Sequence, residues 1–354
     1  MITRSRPTRY TSATDLSLSS RQELSLDFKQ LGNTDIEVST FALGCWPFAG
    51  GDVWGEQDDG DSIAAVHAAL DAGINFFDTA EGYGAGKSEQ VLGEGLAGRR
   101  QEAIIATKIS PPHLDPKLVE ETCDNSLKHL GTDYIDLYQI HWPNHDIPLD
   151  YQWEALSRLV EKGKVRALGV CNFAIDDLTE ALNAGECQSD QLPYNLAWRA
   201  IEYEIQPLCS ESNTGIICYS PLAQGVLTGR YKNADEVPDG LARSRHCSQD
   251  RPQSSHDEDG CEEELFEAVE KIRYVADQMQ QPMASVALAW VRSRAAVLSL
   301  LIGARNPEEL SWNIPAIDLK LPPDVSAELS TITERVKEII GSNPDMWNSD
   351  NRMK

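Results

Sequence analysis

The sequence predicts an α/β protein with a (β/α)8 TIM barrel fold, an N-terminal β-hairpin and extra helices near the C-terminus. Eight short apolar runs, typical of buried parallel strands, recur along the chain with helical patterns between them. The first seven runs start about 25 to 33 residues apart, which is the length of one strand–helix unit. An open, doubly wound sheet is the alternative, but its usual G-x-G-x-x-G turn does not follow an early run.

A tail and a hairpin precede the predicted barrel. Residues 1–25 are rich in Ser, Thr and Arg, which predicts a disordered tail, with a targeting segment as the alternative. Residues 27–30 and 36–38 flank a turn that contains Gly32 and Asn33, and this pattern predicts the hairpin. The eight apolar runs then begin at Phe41, Ile74, Ala103, Tyr134, Val165, Asp190, Gly215 and Val297.

Helix signals lie between the apolar runs. Residues 61–72 carry apolar side chains at helical spacing, and Gly73 suits the position after a helix end. A second helix is predicted over residues 118–130, with Asp115 as its N-cap and Pro116 at its first position. These signals place helices in two of the intervals between successive strands, as the barrel fold requires.

The C-terminal part of the sequence contains one long interval. The last two runs start about 80 residues apart, which leaves an insertion of about 45 to 50 residues beyond one ordinary unit. In it, residues 243–260 are polar and lead into an acidic helix start, and they predict either a wall of the substrate pocket or inert surface. Residues 322–340 predict one added helix and residues 342–354 a polar tail, so the barrel domain spans residues 26–341.

Composition excludes several classes of function. The 354 residues include 31 Lys and Arg against 56 Asp and Glu, a net charge of -25, which argues against nucleic acid and anionic membranes as partners. The longest apolar stretch, residues 295–302, is too short to span a bilayer. The eight cysteines form no C-x-x-C or zinc pattern, so we expect reduced thiols, no metal site and a cytoplasmic enzyme. Oligomeric state stays open.

Four ionisable residues stand where a barrel places catalytic groups, at the carboxyl ends of strands and in the loops that follow. Asp78 directly follows the second run, Tyr83 lies in the same loop, Lys108 is near the end of the third run, and His141 follows the fourth. Each alone has a structural interpretation, as a buried ion pair, a satisfied polar group or a packing residue. Their convergence on one face favours a catalytic group.

The same region resembles the aldo-keto reductase family. The sequence D-T-A-E-G-Y-G-A-G-K-S-E over residues 78–89, continuing to L-G at 92–93, resembles one family signature, and L-G-T-D-Y-I-D-L-Y over residues 130–138, running into H-W, resembles a second. Three further blocks are similar to family motifs and occur in the family's order, at residues 169–173, 219–227 and 302–305. The resemblance extends over about residues 27 to 317.

This resemblance implies reduction of a carbonyl group by NADPH or NADH, with Asp78, Tyr83, Lys108 and His141 as the family's tetrad. Negative charge grows on the carbonyl oxygen during reduction, so a proton donor is needed there, and Tyr83 takes that role. A nearby ammonium lowers the pKa of a phenol, which Lys108 is expected to do for Tyr83. Asp78 would hold the ammonium, and His141 would orient the carbonyl.

The resemblance also implies residues for coenzyme and substrate. Two amides hold the carboxamide, an aromatic ring stacks on the nicotinamide, and a loop follows the pyrophosphate. A cysteine, Cys171, stands where the family usually has serine. The implied coenzyme residues are Cys171, Asn172, Gln191, Tyr219, Ser220, Pro221, Leu222, Gly225, Gly303, Arg305, Glu309 and Asn313, and the implied substrate residues are Trp46, Phe48 and Trp142.

The coenzyme and the type of function leave alternatives. Arg305 can grip the additional phosphate of NADP(H), which is favoured, whereas Glu309 can neutralise it or accept the ribose hydroxyl of NAD(H), the alternative coenzyme. A coenzyme-sensing regulatory or binding protein, similar to the potassium-channel β-subunits, is the alternative to an enzyme that acts on a small carbonyl substrate. A metal-assisted barrel enzyme is disfavoured because the seven histidines are scattered.

Overall fold

The computed structural model describes residues 26–354, except for the side chains of Asp52 and Val53. The tail predicted over residues 1–25 therefore lies outside the described residues. The described chain contains a two-stranded antiparallel sheet and a closed barrel of eight strands. The strands are β1 (Phe28–Gln30), β2 (Glu37–Ser39), β3 (Phe41–Gly44), β4 (Phe76–Asp78), β5 (Ile104–Ile109), β6 (Ile135–Ile140), β7 (Val165–Cys171), β8 (Ser189–Pro193), β9 (Gly215–Tyr219) and β10 (Val297–Gly303).

The barrel confirms the predicted (β/α)8 fold. Strands β3 to β10 follow one another around the barrel in parallel, and β10 pairs with β3 to close it. Each of the eight apolar runs forms one barrel strand, and β1 and β2 form the predicted hairpin. Leu31, Ile36 and Val38 of the hairpin pack into the barrel interior. Asn33 N–H donates to Gln188 Oε1 (2.7 Å), just ahead of β8, so the hairpin covers the amino ends of the strands.

Twelve helices lie between and after the strands of the described chain. Short 3-10 turns join several of the elements. The helices are α1 (Gly51–Trp54), α2 (Asp59–Asp71), α3 (Lys87–Gly95), α4 (Val119–Leu130), α5 (Leu149–Glu161), α6 (Ile175–Ala184), α7 (Ile205–Ser212), α8 (Glu262–Gln278), α9 (Met283–Arg292), α10 (Pro307–Ser311), α11 (Pro323–Ile332) and α12 (Glu334–Ile340).

Two helix starts differ from the sequence predictions. Helix α2 begins two residues early, at Asp59, because the carboxylate of Asp58 accepts a backbone N–H of the first turn (3.1 Å) and acts as the N-cap. The helix predicted over residues 118–130 is α4. The prediction of Asp115 as its N-cap is wrong, since α4 begins at Val119. The Asp115 carboxylate accepts the N–H of Lys117 (3.0 Å) in a turn that precedes the helix.

The prediction of a single helix over residues 322–340 is also wrong, because α11 and α12 are separate helices. Thr333 lies between them, and its hydroxyl donates to the carbonyl oxygen of Leu329 (3.2 Å). The same hydroxyl accepts a hydrogen bond from the Arg199 guanidinium (3.2 Å). A threonine hydroxyl that bonds to the backbone competes with the regular helix ladder, which a reading of apolar spacing alone does not reveal.

The insertion and the C-terminal segment pack against each other. Arg245, which is 4% exposed, donates to two carbonyl oxygens of that segment (3.0 and 3.1 Å) and pairs with Glu258 (2.9 Å). Met353 is fully buried in the main hydrophobic core. Residues 342–354, predicted as a polar tail, thus pack on the barrel, and their composition gives no sign of it. The predicted acidic helix start is confirmed, because α8 opens with three glutamates.

Two further predictions concern cysteines and membranes. The thiols of all eight cysteines are free and buried in the described chain, as expected for reduced cysteines. Among residues 26–354, no helix has both the length and the apolar composition that crossing a membrane requires.

Candidate active site

The carboxyl ends of three neighbouring strands bring the tetrad residues together. Asp78 is the last residue of β4, Lys108 lies one residue before the end of β5, and His141 follows β6 directly. The loop after β4 returns Tyr83 to the same end of the barrel. Because parallel neighbours keep their ends in register, residues far apart in sequence meet in one buried group.

Lys108 is the centre of this group. Its ammonium Nζ lies 2.6 Å from Asp78 Oδ1, 2.9 Å from the carbonyl oxygen of Thr79 and 3.2 Å from the hydroxyl of Tyr83. The Lys108 and Asp78 side chains are almost completely buried, with 0% and 3% exposed. The second carboxylate oxygen of Asp78 accepts from Gln191 Nε2 (2.7 Å), so the buried ion pair is held from both sides.

Burial and charge set the protonation states of the tetrad. Burial raises the pKa of Tyr83 to about 12, while the neighbouring Lys108 ammonium acts in the opposite direction. The expected lowering by Lys108 is therefore present, but burial outweighs it, and the phenol is protonated at neutral pH. Burial alone would lower the pKa of Lys108, but the Asp78 carboxylate raises it above its usual value, so the ammonium stays charged.

His141 is a neutral imidazole in this site. Burial lowers its pKa to about 3, and the nearby Lys108 ammonium acts in the same direction. The His141 and Tyr83 rings meet edge to face, with centroids 5.6 Å apart. A neutral imidazole has one N–H group and can donate a single hydrogen bond to a carbonyl oxygen beside the phenol.

Several contacts within the chain fix the loop that carries Tyr83. Gly86 adopts φ +89°, and a β-carbon there would lie 2.3 Å from the His129 ring, so only glycine fits. Ser88 Oγ donates to the carbonyl oxygen of Cys45 (2.7 Å), and the buried Glu89 carboxylate accepts from Thr107 (2.7 Å). The polar residues at the start of α3 therefore tie the loop to the barrel.

The amides predicted to hold a carboxamide lie beside the tetrad. Asn172 adopts φ +64°, its Nδ2 donates to the carbonyl oxygen of His141 (3.0 Å), and its Oδ1 accepts from the Tyr219 hydroxyl (2.9 Å). The Cys171 thiol lies 3.1 Å from Asn172 Nδ2 and 3.8 Å from Gln191 Oε1. Burial raises the pKa of that thiol well above its usual value, so Cys171 is a neutral contact in this network.

The loop after β9 has an unusual backbone. Ser220, Ala223, Gln224 and Gly225 all have positive φ values, between +47° and +91°. Within this turn the N–H groups of Ala223 and Gly225 donate to the carbonyl oxygens of Ser220 (2.9 Å) and Leu222 (3.0 Å). Pro221 and Leu222 lie between these residues, so all the residues predicted for the pyrophosphate belong to one turn.

The residues predicted at the adenosine end gather after β10. Gly303 is exposed at the end of that strand, and Asn313 lies beyond α10, where its side-chain amide donates to the carbonyl oxygen of Glu309 (3.3 Å). The Arg305 guanidinium pairs with the Glu309 carboxylate at 2.7 and 3.0 Å. The same carboxylate accepts the backbone N–H of Arg305 (2.9 Å). Glu309 thus accepts from the Nε and Nη2 groups of Arg305, the only arginine that the sequence predicted at the adenosine end.

The three aromatic residues predicted to line the pocket have different surroundings. Trp46 is 36% exposed and stacks on Tyr83, with ring centroids 5.6 Å apart. Trp142 is half-buried, next to His141, and lies under the Arg352 guanidinium. Phe48 is 1% exposed and packs in the hydrophobic core. The structure therefore brings Trp46 into contact with the tetrad, whereas Trp142 adjoins it in sequence and contacts Arg352, and Phe48 lies in the core.

Sequence reasoning missed two arginines near the site. Arg243 lies on the Trp347 ring, with its guanidinium carbon 5.0 Å from the ring centroid, and it pairs with no carboxylate among residues 26–354. Burial lowers its pKa from the usual value. Arg352 lies on Trp142 in the same manner. No motif marks either arginine, because both belong to polar segments whose packing is visible only in three dimensions.

Comparison with known proteins gives the family. The sequence model described as the aldo/keto reductase family matches residues 40–334. An NADH-specific methylglyoxal reductase from Escherichia coli (strain K12) is 32% identical over 314 residues, which cover 82% of this chain and 93% of that protein. A probable voltage-gated potassium channel subunit beta from Arabidopsis thaliana is 27% identical over 336 residues, which cover 90% and 98%.

Solved structures agree with these matches. The glycerol dehydrogenase from Gluconobacter oxydans has a TM-score of 0.77 and 30% identity, covering 87% of this chain and 95% of that one. An aldo/keto reductase from Klebsiella pneumoniae in complex with NADP and acetate has a TM-score of 0.68 and 28% identity, covering 84% and 92%. The chain therefore belongs to the aldo/keto reductase family and is an NAD(P)H-dependent oxidoreductase, as its sequence blocks predicted.

Proposed function

We propose that the protein reduces aldehydes or ketones to alcohols, with Tyr83 as the proton donor. The observation that carries this proposal is the buried contact of Lys108 with both Asp78 (2.6 Å) and the Tyr83 hydroxyl (3.2 Å). When bound, the coenzyme supplies the hydride. The residues of the chain then have two tasks, to orient the carbonyl group and to deliver a proton to its oxygen.

The residues around the tetrad fit a nicotinamide coenzyme. Asn172 carries its amide next to the Tyr219 hydroxyl and Gln191 carries its amide next to Asp78, and the turn at residues 220–225 holds the residues that we propose for the pyrophosphate. Arg243 adds a half-buried guanidinium that has no carboxylate partner in the described chain. In a protein of net charge -25, such a cation favours an anionic ligand, and a coenzyme phosphate is our proposal for it.

The protonation states of Tyr83, Lys108 and His141 support the separate roles that we propose for them. Tyr83 holds its proton at neutral pH and can give it up as charge develops on the substrate oxygen, because the Lys108 ammonium stabilises the phenolate left behind. Asp78 keeps that ammonium in place. Neutral His141 donates an N–H to the same oxygen, which orients the carbonyl carbon for attack.

Turnover is expected to be nearly independent of pH between about 5.5 and 9. The pKa values of His141, about 3, and Tyr83, about 12, both lie outside this interval, so neither residue changes its protonation state within it. The measurement is kcat for a neutral aldehyde at saturating coenzyme across the interval. A change in kcat with a midpoint near pH 6.5, the ordinary pKa of histidine, would show that His141 gains a proton within this interval.

For the coenzyme, we propose a preference for NADP(H) that is weakened by Glu309. Arg305 can bind a phosphate through its guanidinium fork, but Glu309 now occupies that fork and the adjacent backbone N–H. The pair holds the pKa of Glu309 below its usual value, although burial acts in the opposite direction, so the carboxylate is charged at neutral pH. One relative is a structure in complex with NADP and another is NADH-specific, which agrees with a site whose affinities for the two coenzymes are similar.

Substitutions at this pair test the preference. Glu309→Gln is expected to strengthen NADPH binding, because Arg305 is released for the phosphate, and Arg305→Ala is expected to weaken it about tenfold or more. NADH binding should change much less in both variants. Fluorescence titration with each coenzyme gives the two Kd values, and Arg335→Ala, on the exposed ion pair with Glu338, is the matched control. Equal losses for both coenzymes in Arg305→Ala would refute the phosphate role.

A coenzyme-sensing binding protein is the second candidate function. The similarity to a probable potassium channel subunit beta favours it, since that relative matches over 90% of this chain. A panel of small aldehydes and ketones, monitored through loss of coenzyme absorbance, separates the two proposals. Multiple turnovers support the reductase, whereas tight coenzyme binding without turnover on any member supports the sensor. For either function we propose a cytoplasmic location.

A further inference from the structure

The C-terminal segment, residues 342–354, places Arg352 on Trp142, one of the residues predicted to line the substrate pocket. Its guanidinium carbon lies 3.8 Å from the ring centroid of Trp142, the residue that follows His141. Arg352 is also close to Tyr219: burial raises the pKa of that phenol far above its usual value, and Arg352 is one of the groups that oppose the rise. An arginine near the C-terminus therefore lies close to one predicted substrate residue, Trp142, and one predicted coenzyme residue, Tyr219.

A buried carboxylate fixes the orientation of this guanidinium. Asp345, which is fully buried, accepts Arg352 Nε at 2.7 Å and Nη2 at 3.0 Å. The same carboxylate accepts the backbone N–H groups of Trp347 (3.0 Å) and Asn348 (3.2 Å). Asp345 therefore shares its charge among four donors, while Nη1 of Arg352 makes no hydrogen bond to any residue in the described range 26–354.

The segment that carries Arg352 is anchored on both sides of it. On one side, Arg245 donates to the carbonyl oxygens of Asn343 and Asp345 and, through its backbone N–H, to that of Met346 (3.0 Å). On the other side, Met353 is buried in the core, and the Lys354 carbonyl oxygen accepts two N–H groups from the start of α6 (2.9 Å each). The guanidinium is thus held before a ligand arrives, which reduces the entropy lost on binding.

We propose that Arg352 determines substrate specificity by binding an anionic oxygen group, a carboxylate or a phosphate, on the carbonyl substrate. This inference rests on the proposed reductase function and adds a substrate class to it. The Nη1 edge is unused and 44% of the Arg352 side chain is exposed, so two N–H donors are available at the mouth of the site. Charge-assisted hydrogen bonds from a guanidinium to such oxygens are strong and directional.

The neighbouring charges allow an anion at this position. The tetrad contributes one paired cation and one paired anion, Lys108 and Asp78, together with a neutral His141. Asp345 lies behind the guanidinium and is saturated by its four donors. An aldehyde that carries a carboxylate or phosphate could therefore bind Arg352 Nη1 without repulsion from Asp78 or Asp345, because both carboxylates are buried and paired.

Matched pairs of aldehydes test the proposal. The pairs are 4-oxobutanoate with butanal, and glyceraldehyde 3-phosphate with glyceraldehyde, so the two arms separate a carboxylate from a phosphate. The wild-type protein is expected to show a higher kcat/KM for the anionic member of at least one pair. Arg352→Gln should lower that anionic-to-neutral ratio about tenfold or more, mainly through KM, and Arg352→Lys should fall between the two.

Control measurements distinguish recognition from a structural effect. Arg335→Gln removes an exposed arginine of the nearby helix α12 and should leave the ratio unchanged. A wild-type protein without preference in either pair, or a ratio that Arg352→Gln leaves unchanged, would overturn the proposal. Calorimetry with 4-hydroxybutanoate and 1-butanol, added to the coenzyme complex, gives a readout independent of turnover. If no aldehyde is reduced, the proposed reductase function fails. Even then, 4-hydroxybutanoate that binds more tightly than 1-butanol, with a difference that Arg352→Gln abolishes, supports the role of Arg352 in binding an anion. Equal affinities of the two alcohols for the wild-type protein overturn that role.

Discussion

Tyr83→Phe is expected to lower kcat about 100-fold or more, because it removes the hydroxyl that gives a proton to the carbonyl oxygen. The ring stays, so the stack on Trp46 (5.6 Å) and the edge contact with His141 (5.6 Å) can persist. Coenzyme binding should change little, since Tyr83 was not among the residues predicted to hold it. Steady-state kinetics and coenzyme titration on the same preparation measure the two effects.

A surface tyrosine provides the control for this substitution. Tyr151, on helix α5, is 58% exposed, and Tyr151→Phe should leave kcat and coenzyme affinity at the wild-type values. Near-normal turnover of Tyr83→Phe would contradict the assignment of the proton donor. A loss in kcat that is matched by an equal loss of coenzyme affinity would indicate a binding role for Tyr83 instead.

Lys108→Met is expected to abolish measurable turnover and to lower the free energy of unfolding by about 3–5 kcal/mol. The substitution keeps the length of the side chain but leaves the buried carboxylate of Asp78 without its cation. It also removes the ammonium beside the Tyr83 hydroxyl, so nothing in the tetrad stabilises the phenolate that proton transfer produces. Urea unfolding measures the stability change, and the aldehyde assay measures turnover.

A double substitution separates the two effects of removing Lys108. Asp78→Asn combined with Lys108→Met removes both charges, so it should recover most of the lost stability without recovering activity. Recovery of turnover in the double variant would contradict the role of Lys108 in proton transfer. If Lys108→Met were as stable as the wild-type protein, the buried ion pair of Lys108 with Asp78 would not contribute to stability, which would contradict the expected loss.

The barrel could be predicted from sequence because its strands are short, apolar on both faces and regularly spaced. Runs such as the one that begins at Phe41 carry this signal within four or five residues, and each formed the expected strand. The errors fell at helix ends. The start of α2 depends on which carboxylate reaches a free backbone N–H, whereas α4 begins without a side-chain cap. At the break, the Thr333 hydroxyl accepts a hydrogen bond from Arg199, which is distant in sequence.

The positions of the tetrad could also be predicted, because strand ends of a parallel barrel meet at one face. The direction of the pKa shift of Tyr83 could not, since it depends on how completely the phenol is buried. The contact of Gln191 with Asp78 depends on which way an amide turns inside the barrel. The docking of Arg352 on Trp142 requires a C-terminal segment whose packing relies on Arg245, and no local pattern of residues encodes that contact.

We propose that this site transfers a hydride to a carbonyl carbon and a proton from Tyr83 to its oxygen. Single turnover with coenzyme that carries deuterium at the transferable position of the nicotinamide tests it most directly. We predict that the alcohol formed carries one deuterium on its carbinol carbon, in an amount equal to the coenzyme oxidised, and that Tyr83→Phe slows this transfer about 100-fold or more. Bound coenzyme that keeps its deuterium in the presence of every aldehyde and ketone of the panel would contradict the claim.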